Sequence, residues 1–274
     1  LKSSTVSFNS IQTTLPNVFK KNLQEQYGFD SETATIMWKL YQNIKATEGK
    51  NVDYVFNRLV GGIVYSGFKW NGTASIGSIG GTSMRSIQDQ MRKFGLMDNE
   101  LEKFEEDVLK QYRNSNQSDA TMADFAHQSI TTATNLYDNH IRLANFWGLF
   151  KGQWGNSHNH TNDLSGWLGD ITLGNPPSMN VPDYKADLDA VNITGIMKKN
   201  EVDYVTASNQ YYDGLQSNRY TRESEFLKYV GGLEYVKSQI YKEVGIDATN
   251  DAEAMEQLEK LNPVAYQFIQ DLSQ

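Results

Sequence analysis

A mainly α-helical fold with a small β-hairpin and loop-rich portion is what this sequence predicts, and three observations lead there. Apolar residues recur at three-and-four spacing through most of the chain, the period of a helix buried on one face. Many of these stretches open on Asp, Ser or Thr and close on Gly, the residues that cap helices. Loop chemistry is gathered into two stretches, residues 67–81 and 151–180. With 274 residues, 39% of them hydrophobic, the chain is long enough for one large domain (1–274) or for two lobes, about 1–150 and 151–274.

In chain order, Pro16 sits where a helix can begin, and the segment to Gly28 reads as a short one. Asp30 or Ser31 caps the next, with Ile36, Met37, Leu40, Tyr41 and Ile44 as its buried stripe and Gly49 as its end. The third, VDYVFNRLVGGIVYSG, carries Arg58 beside Asn57 among apolar neighbours. A charge there needs a partner or a route to water, so Arg58 is either half of a structural ion pair or a contact for an anion. Residues 67–81, GFKWNGTASIGSIGG, are the candidate hairpin or a lid; they match neither GxxxxGK[ST] nor a strand-GxGxxG-helix context, which excludes a nucleotide loop. Helices resume over SMRSIQDQMRKFG and DNELEKFEEDVLKQYRNS, the latter with Asp98 as expected cap.

The next helix, TMADFAHQSITTATNLYDNHIRLANFWG, places Asp124, His127 and Gln128 at i, i+3 and i+4, with Thr131 a turn further on. That face suits catalysis or ligand binding, and equally a local hydrogen-bonded pair. The span 151–180 follows, with His158 and His160 in a loop and with Asp163 and Asp170 around a compact SGWLG turn. Long loops in globular chains are more often functional than decorative. Four more apolar-striped segments read as scaffold: NEVDYVTASNQYYDGLQS, TRESEFLKYVGGLEYVKSQIYKEVG capped by Thr221, DAEAMEQLEKL and PVAYQFIQDLSQ.

The densest chemistry lies in VPDYKADLDAVNIT, residues 181–194, where Asp183, Asp187, Asp189 and Asn192 put four oxygen-bearing side chains into ten residues. Carboxylates so close resist ionisation unless a cation or strong donors sit among them. An extended chain aims Asp187 and Asp189 to one side, whereas a helix brings Asp183 and Asp187 together. An acidic helix start, its aspartates serving as caps, is the plainer reading.

Composition removes several function classes. Cysteine is absent, which excludes disulfides, thiolate metal sites and cysteine nucleophiles. A net charge of -8 argues against a general nucleic-acid binder. No run approaches the roughly 18 apolar residues of a membrane span, and LKSSTVSFNS lacks the pattern of a signal peptide. Because the chain begins with Leu, the expectation is a piece of a longer protein. Hard oxygen ligands with sparse histidine select Ca²⁺, or less readily Mg²⁺, over zinc. The EF-hand pattern is not met, since Asn192 and Lys198 stand where its glycine and closing glutamate belong. Such carboxylates can hold an ion that offsets phosphate charge, with His127 as acid or base, or can act as a pair in glycoside hydrolysis.

Three segments, ADFAHQ (123–128), SGWLGD (165–170) and DYKADLDAVN (183–192), together resemble the C-terminal toxin domain of LXG-type polymorphic toxins, which Gram-positive bacteria export by type VII secretion. The resemblance implies a largely helical two-lobed domain that binds Ca²⁺ and hydrolyses lipid II, the polyprenyl-pyrophosphate-linked cell-wall precursor, from outside the target-cell membrane. Carried onto this chain, it points to Asp124 and to the aspartates Asp183, Asp187 and Asp189; joined to the reading of the residues above, it makes Asp124, His127, Asp183 and Asp187 the expected catalytic residues, Asp124, Asp187 and Asp189 the expected metal ligands, and Arg58 an expected contact for the pyrophosphate. It also implies a secreted protein with a cognate immunity protein as partner; a monomer is expected. Two other readings stand beside it: a peptidoglycan glycosidase using two of these carboxylates, and a non-catalytic surface adhesion module that calcium stiffens.

Overall fold

Twelve α-helices and one short 3-10 turn make up the regular structure of the described residues, which are 8–65, 83–115, 122–137 and 181–273 of a computed structural model. The described part is therefore mainly α. The hairpin expected within 67–81 and the loop at 151–180, with His158, His160, Asp163 and Asp170, lie outside the described residues.

Helix α1 (Phe8–Tyr27) starts earlier than the proline suggested and carries Pro16 inside it, at the cost of one backbone hydrogen bond. Gly28 ends it with φ 74°, which a glycine adopts without strain. Asp30 caps α2 (Ser31–Glu48), its carboxylate accepting from the Thr33 N–H at 2.7 Å. A 3-10 turn, Gly49–Asn51, leads into α3 (Val52–Tyr65). Ser83 caps α4 (Met84–Lys93). For α5 (Asp98–Ser115) the cap is Met97 and not Asp98: the Met97 carbonyl accepts from Leu101 N–H, and the Glu100 carboxylate reaches back to Met97 N–H (both 2.9 Å). Asp98 instead pairs with Arg92 at 2.9 Å.

Helices α6 (Phe125–Tyr137) and α7 (Val181–Asn200) form the centre of the molecule, followed by α8 (Tyr204–Gln216) under its Asp203 cap. The single helix expected after Thr221 is two, α9 (Arg222–Val230) and α10 (Leu233–Val244). Gly231 and Gly232, at φ 94° and 85°, turn the chain between them. Asn250 caps α11 (Asp251–Leu261), and Asn262 caps α12 (Pro263–Leu272), which starts on its proline.

Two apolar cores result. The first draws Phe19, Leu40, Phe56, Leu59, Phe104 and Phe125 from α1 to α6, together with Ile193 and Ile196 of α7 and Tyr211 of α8. The second gathers Phe226, Ile240, Leu258 and Phe268 of α9 to α12 around Leu188 and Val191 of α7. Helix α7 thus belongs to both, and that shared position fixes the site.

Candidate functional site

The sequence of α6 gives it two faces. Phe125, Ala126, Ile130 and Ala133 are apolar and buried. On that side α3 crosses so closely that a Cβ on Gly61 would meet Ile130 N at 2.9 Å, so only glycine permits the approach. His127, Thr131 and Asn135, spaced four apart, occupy the polar side and reach α7; Asn135 donates to Thr194 Oγ1 at 3.3 Å. Upstream, Gln111 of α5 clamps the chain with both ends of its amide, donating to Ala123 O (2.7 Å) and accepting from Phe125 N–H (3.1 Å).

Between those two clamped residues stands Asp124, fully buried. It is the N-cap of α6, its Oδ1 accepting from the His127 N–H at 3.0 Å and its carbonyl from Gln128 N–H at 2.9 Å. The other oxygen, Oδ2, is buried without a hydrogen-bond partner. The nearby Ser115 hydroxyl donates to the Tyr112 carbonyl instead (2.9 Å). Burial pushes the Asp124 carboxyl above its ordinary range, with the His127 charge and the helix N–H groups opposing.

His127 Nε2 lies 2.9 Å from Asp187 Oδ1, and Thr131 Oγ1 donates to that same oxygen at 3.1 Å. Both ring and carboxylate are almost wholly buried, at 4% and 3% exposure. The structure therefore brings Asp124, His127 and Asp187 into one hydrogen-bonded group across the α6–α7 seam.

Asp189 goes elsewhere. Residues two apart on a helix are separated by about 200° around its axis, so with 181–200 helical Asp189 points away from Asp187. Arg222 holds it from the first turn of α9, Nε to Oδ1 at 2.8 Å, while the Tyr211 hydroxyl donates to Oδ1 (2.6 Å) and the Tyr212 hydroxyl to Oδ2 (3.3 Å). Tyr212 also shares a hydrogen bond with Tyr27, and Asn192 donates to the Tyr211 hydroxyl at 3.2 Å. Burial is the largest influence on Arg222 and works against its charge, but Asp189, Tyr211 and Tyr212 together outweigh it and the guanidinium pKa rises. Burial, then the Asp189 charge, pushes both tyrosine hydroxyls upward. The carboxylate of this ion pair is fully buried, while the guanidinium keeps some access to water.

Of the other expected site residues, Asp183 occupies the first turn of α7, its side chain outside the described residues. Arg58 sits on α3 and donates to Gln90 of α4 at 3.1 Å. Sequence reasoning missed Gln111, Tyr211, Tyr212 and Arg222. A lone Gln in an acidic helix and a tyrosine pair in an apolar stripe carry no local signal; what they hold is set by neighbours 12 to 33 residues away.

For a metal, the donor chemistry fits a hard cation. Asp124 has one buried carboxylate oxygen, Oδ2, without a hydrogen-bond partner, and Asp187 is a second buried carboxylate, held by His127 and Thr131. Among the described residues no group of three or more ligating side chains converges, so these two supply at most part of the six to eight oxygens that Ca²⁺ takes.

Fold and site together define a class, a domain mainly helical among its described residues, in which a buried imidazole meets one carboxylate across a helix pair and a second carboxylate caps the helix that carries the imidazole. No protein-family model and no curated protein matches the chain. A solved structure does, over 100% of this chain and 98% of its own, with a TM-score of 0.67 and 26% sequence identity. That structure is TelC from Streptococcus intermedius B196. No helix among the described residues is long and apolar enough to cross a membrane.

Proposed function

We propose that this chain is a secreted, calcium-dependent toxin domain that hydrolyses lipid II at its polyprenyl-pyrophosphate linkage, outside the target cell and under the restraint of an immunity protein in the producer. The observation that carries the reading is the buried Asp124, His127 and Asp187 group within a fold shared end to end with TelC. The three segments that resemble LXG-type toxins support it.

Asp124 and Asp187 would hold the ion, which supplies charge to offset a phosphate oxygen and to orient water. Hydrolysis places a hydroxyl on phosphorus and a proton on the departing oxygen, and His127 is the group that carries this proton. Asp189 stays with Arg222 and keeps the second face of α7 in place. Arg58, one helix away on α3, is the candidate pyrophosphate contact.

The glycosidase reading draws on one specific observation. A carboxyl raised by burial, as Asp124 is, suits a general acid beside an ionised partner. Chelation separates the two, because a glycosidase needs no ion.

The test incubates lipid II with the protein and Ca²⁺, with EDTA, and with Asp124→Asn. Release of the polyprenyl tail in the first case alone is expected. Asn retains the capping acceptor while removing a buried carboxylate without a full set of partners, so the variant should unfold at no lower a urea midpoint than the parent. Lipid II left whole by folded, calcium-loaded protein sinks the proposal, and peptidoglycan cleavage that survives EDTA replaces it with the glycosidase.

A further inference from the structure

We infer that Thr131 is a positioning residue which fixes the reacting nitrogen of His127 as Nδ1. The inference rests on the reading of His127 as proton carrier. The geometry that leads to it is the double use of one oxygen: Asp187 Oδ1 meets His127 Nε2 at 2.9 Å and the Thr131 hydroxyl at 3.1 Å. An ionised carboxylate oxygen has two lone pairs and accepts from both. A ring nitrogen that donates is the protonated one, so the neutral imidazole is held as its Nε2–H tautomer, with the lone pair on Nδ1.

The arrangement is built into α6. His127 and Thr131 are four residues apart and stand one above the other on the same face, so a single carboxylate from α7 reaches both. Nearly complete burial of the ring and of Asp187 leaves little water to compete for that oxygen. Without the hydroxyl, Asp187 Oδ1 has one donor fewer, and the carboxylate can turn about its Cβ–Cγ bond and release Nε2. A hydrogen-bonded carboxylate that orients an imidazole and selects its tautomer is a known device in hydrolytic sites and around metal-binding histidines. Here the threonine orients the orienter.

The experiment uses the intact chain labelled with ¹⁵N-histidine, its ring signals followed across a pH series so that the neutral form is read directly. His127→Gln identifies the His127 signals among the four histidines. The parent should show Nε2 as the hydrogen-bearing nitrogen and Nδ1 as the bare one. Thr131→Val should give averaged signals from both tautomers, and Thr131→Ser should restore the parent pattern. Lipid II turnover should fall about tenfold in kcat at little changed KM for Thr131→Val, the effect of one lost buried hydrogen bond, and recover in Thr131→Ser. A parent ring carrying its hydrogen on Nδ1, or a Thr131→Val protein with unaltered ring signals, overturns the inference. The ring signals are read without substrate, so failure of the parent to cleave lipid II strikes the functional proposal and leaves the tautomer result standing.

Discussion

Asp187 and Asp189 are two positions apart and have different fates. The first faces His127 and Thr131; the second is tied to Arg222, Tyr211 and Tyr212. A buried carboxylate left without its cation costs more than the pair contributes when whole. Arg222→Ala should therefore destabilise the protein by about 3 kcal/mol, the low end for a broken buried pair because the guanidinium keeps some access to water. Urea unfolding measures this, and a loss below half that size would show Asp189 finding other donors. The sequence made both aspartates legible as chemistry and Asp124 with His127 as a helix-borne pair. It could not assign Asp189, because its sorting depends on whether 181–194 is strand or helix and on an arginine 33 residues away. Asp124 was read as part of a helix face when it is the cap below that face, because the helix read from Thr121 begins at Phe125.

At the scale of elements, the described helices other than α7 were legible from stripe and caps, α7 was left open between strand and helix, and the remaining errors have local causes. Pro16 marks a start in isolation but was absorbed within α1, and the Gly231-Gly232 pair broke a stripe that periodicity alone carries through. Crossing geometry was not legible at all. Gly61 is where it matters, because the atom its missing Cβ would strike is backbone nitrogen, which moves only with all of α6. Gly61→Ala gains helix propensity of up to about 1 kcal/mol and loses about 1–3 kcal/mol to overpacking. A net fall in the urea midpoint is expected, with a larger fall in activity as His127 and Thr131 shift against Asp187. An unchanged midpoint with full activity would mean that α3 yields without disturbing the site.

Over the whole molecule, α7 contributes Ile193 and Ile196 to one core and Leu188 and Val191 to the other. Neither core can come apart without loosening a helix that the other needs, so the two should unfold together. Phe268→Ala, deep in the second core, should cost about 3–5 kcal/mol and speed hydrogen exchange at the slowest amides of α2 as much as at those of α11. Faster exchange confined to α9 to α12 would show the cores to be independent. The sequence predicted enough apolar material for two lobes but not a helix held in common, since the period of a stripe says which side is buried and not against what.

Alternate positions along one turn of α7 consequently answer to different demands. Under the proposed function Asp187 answers to the chemistry, whereas Asp189, tied to Arg222, Tyr211 and Tyr212, answers to the packing around α7. A substitution at the first therefore tests the chemistry, and one at the second tests the fold. A comparison that scores the two aspartates as a single signature blends these two demands.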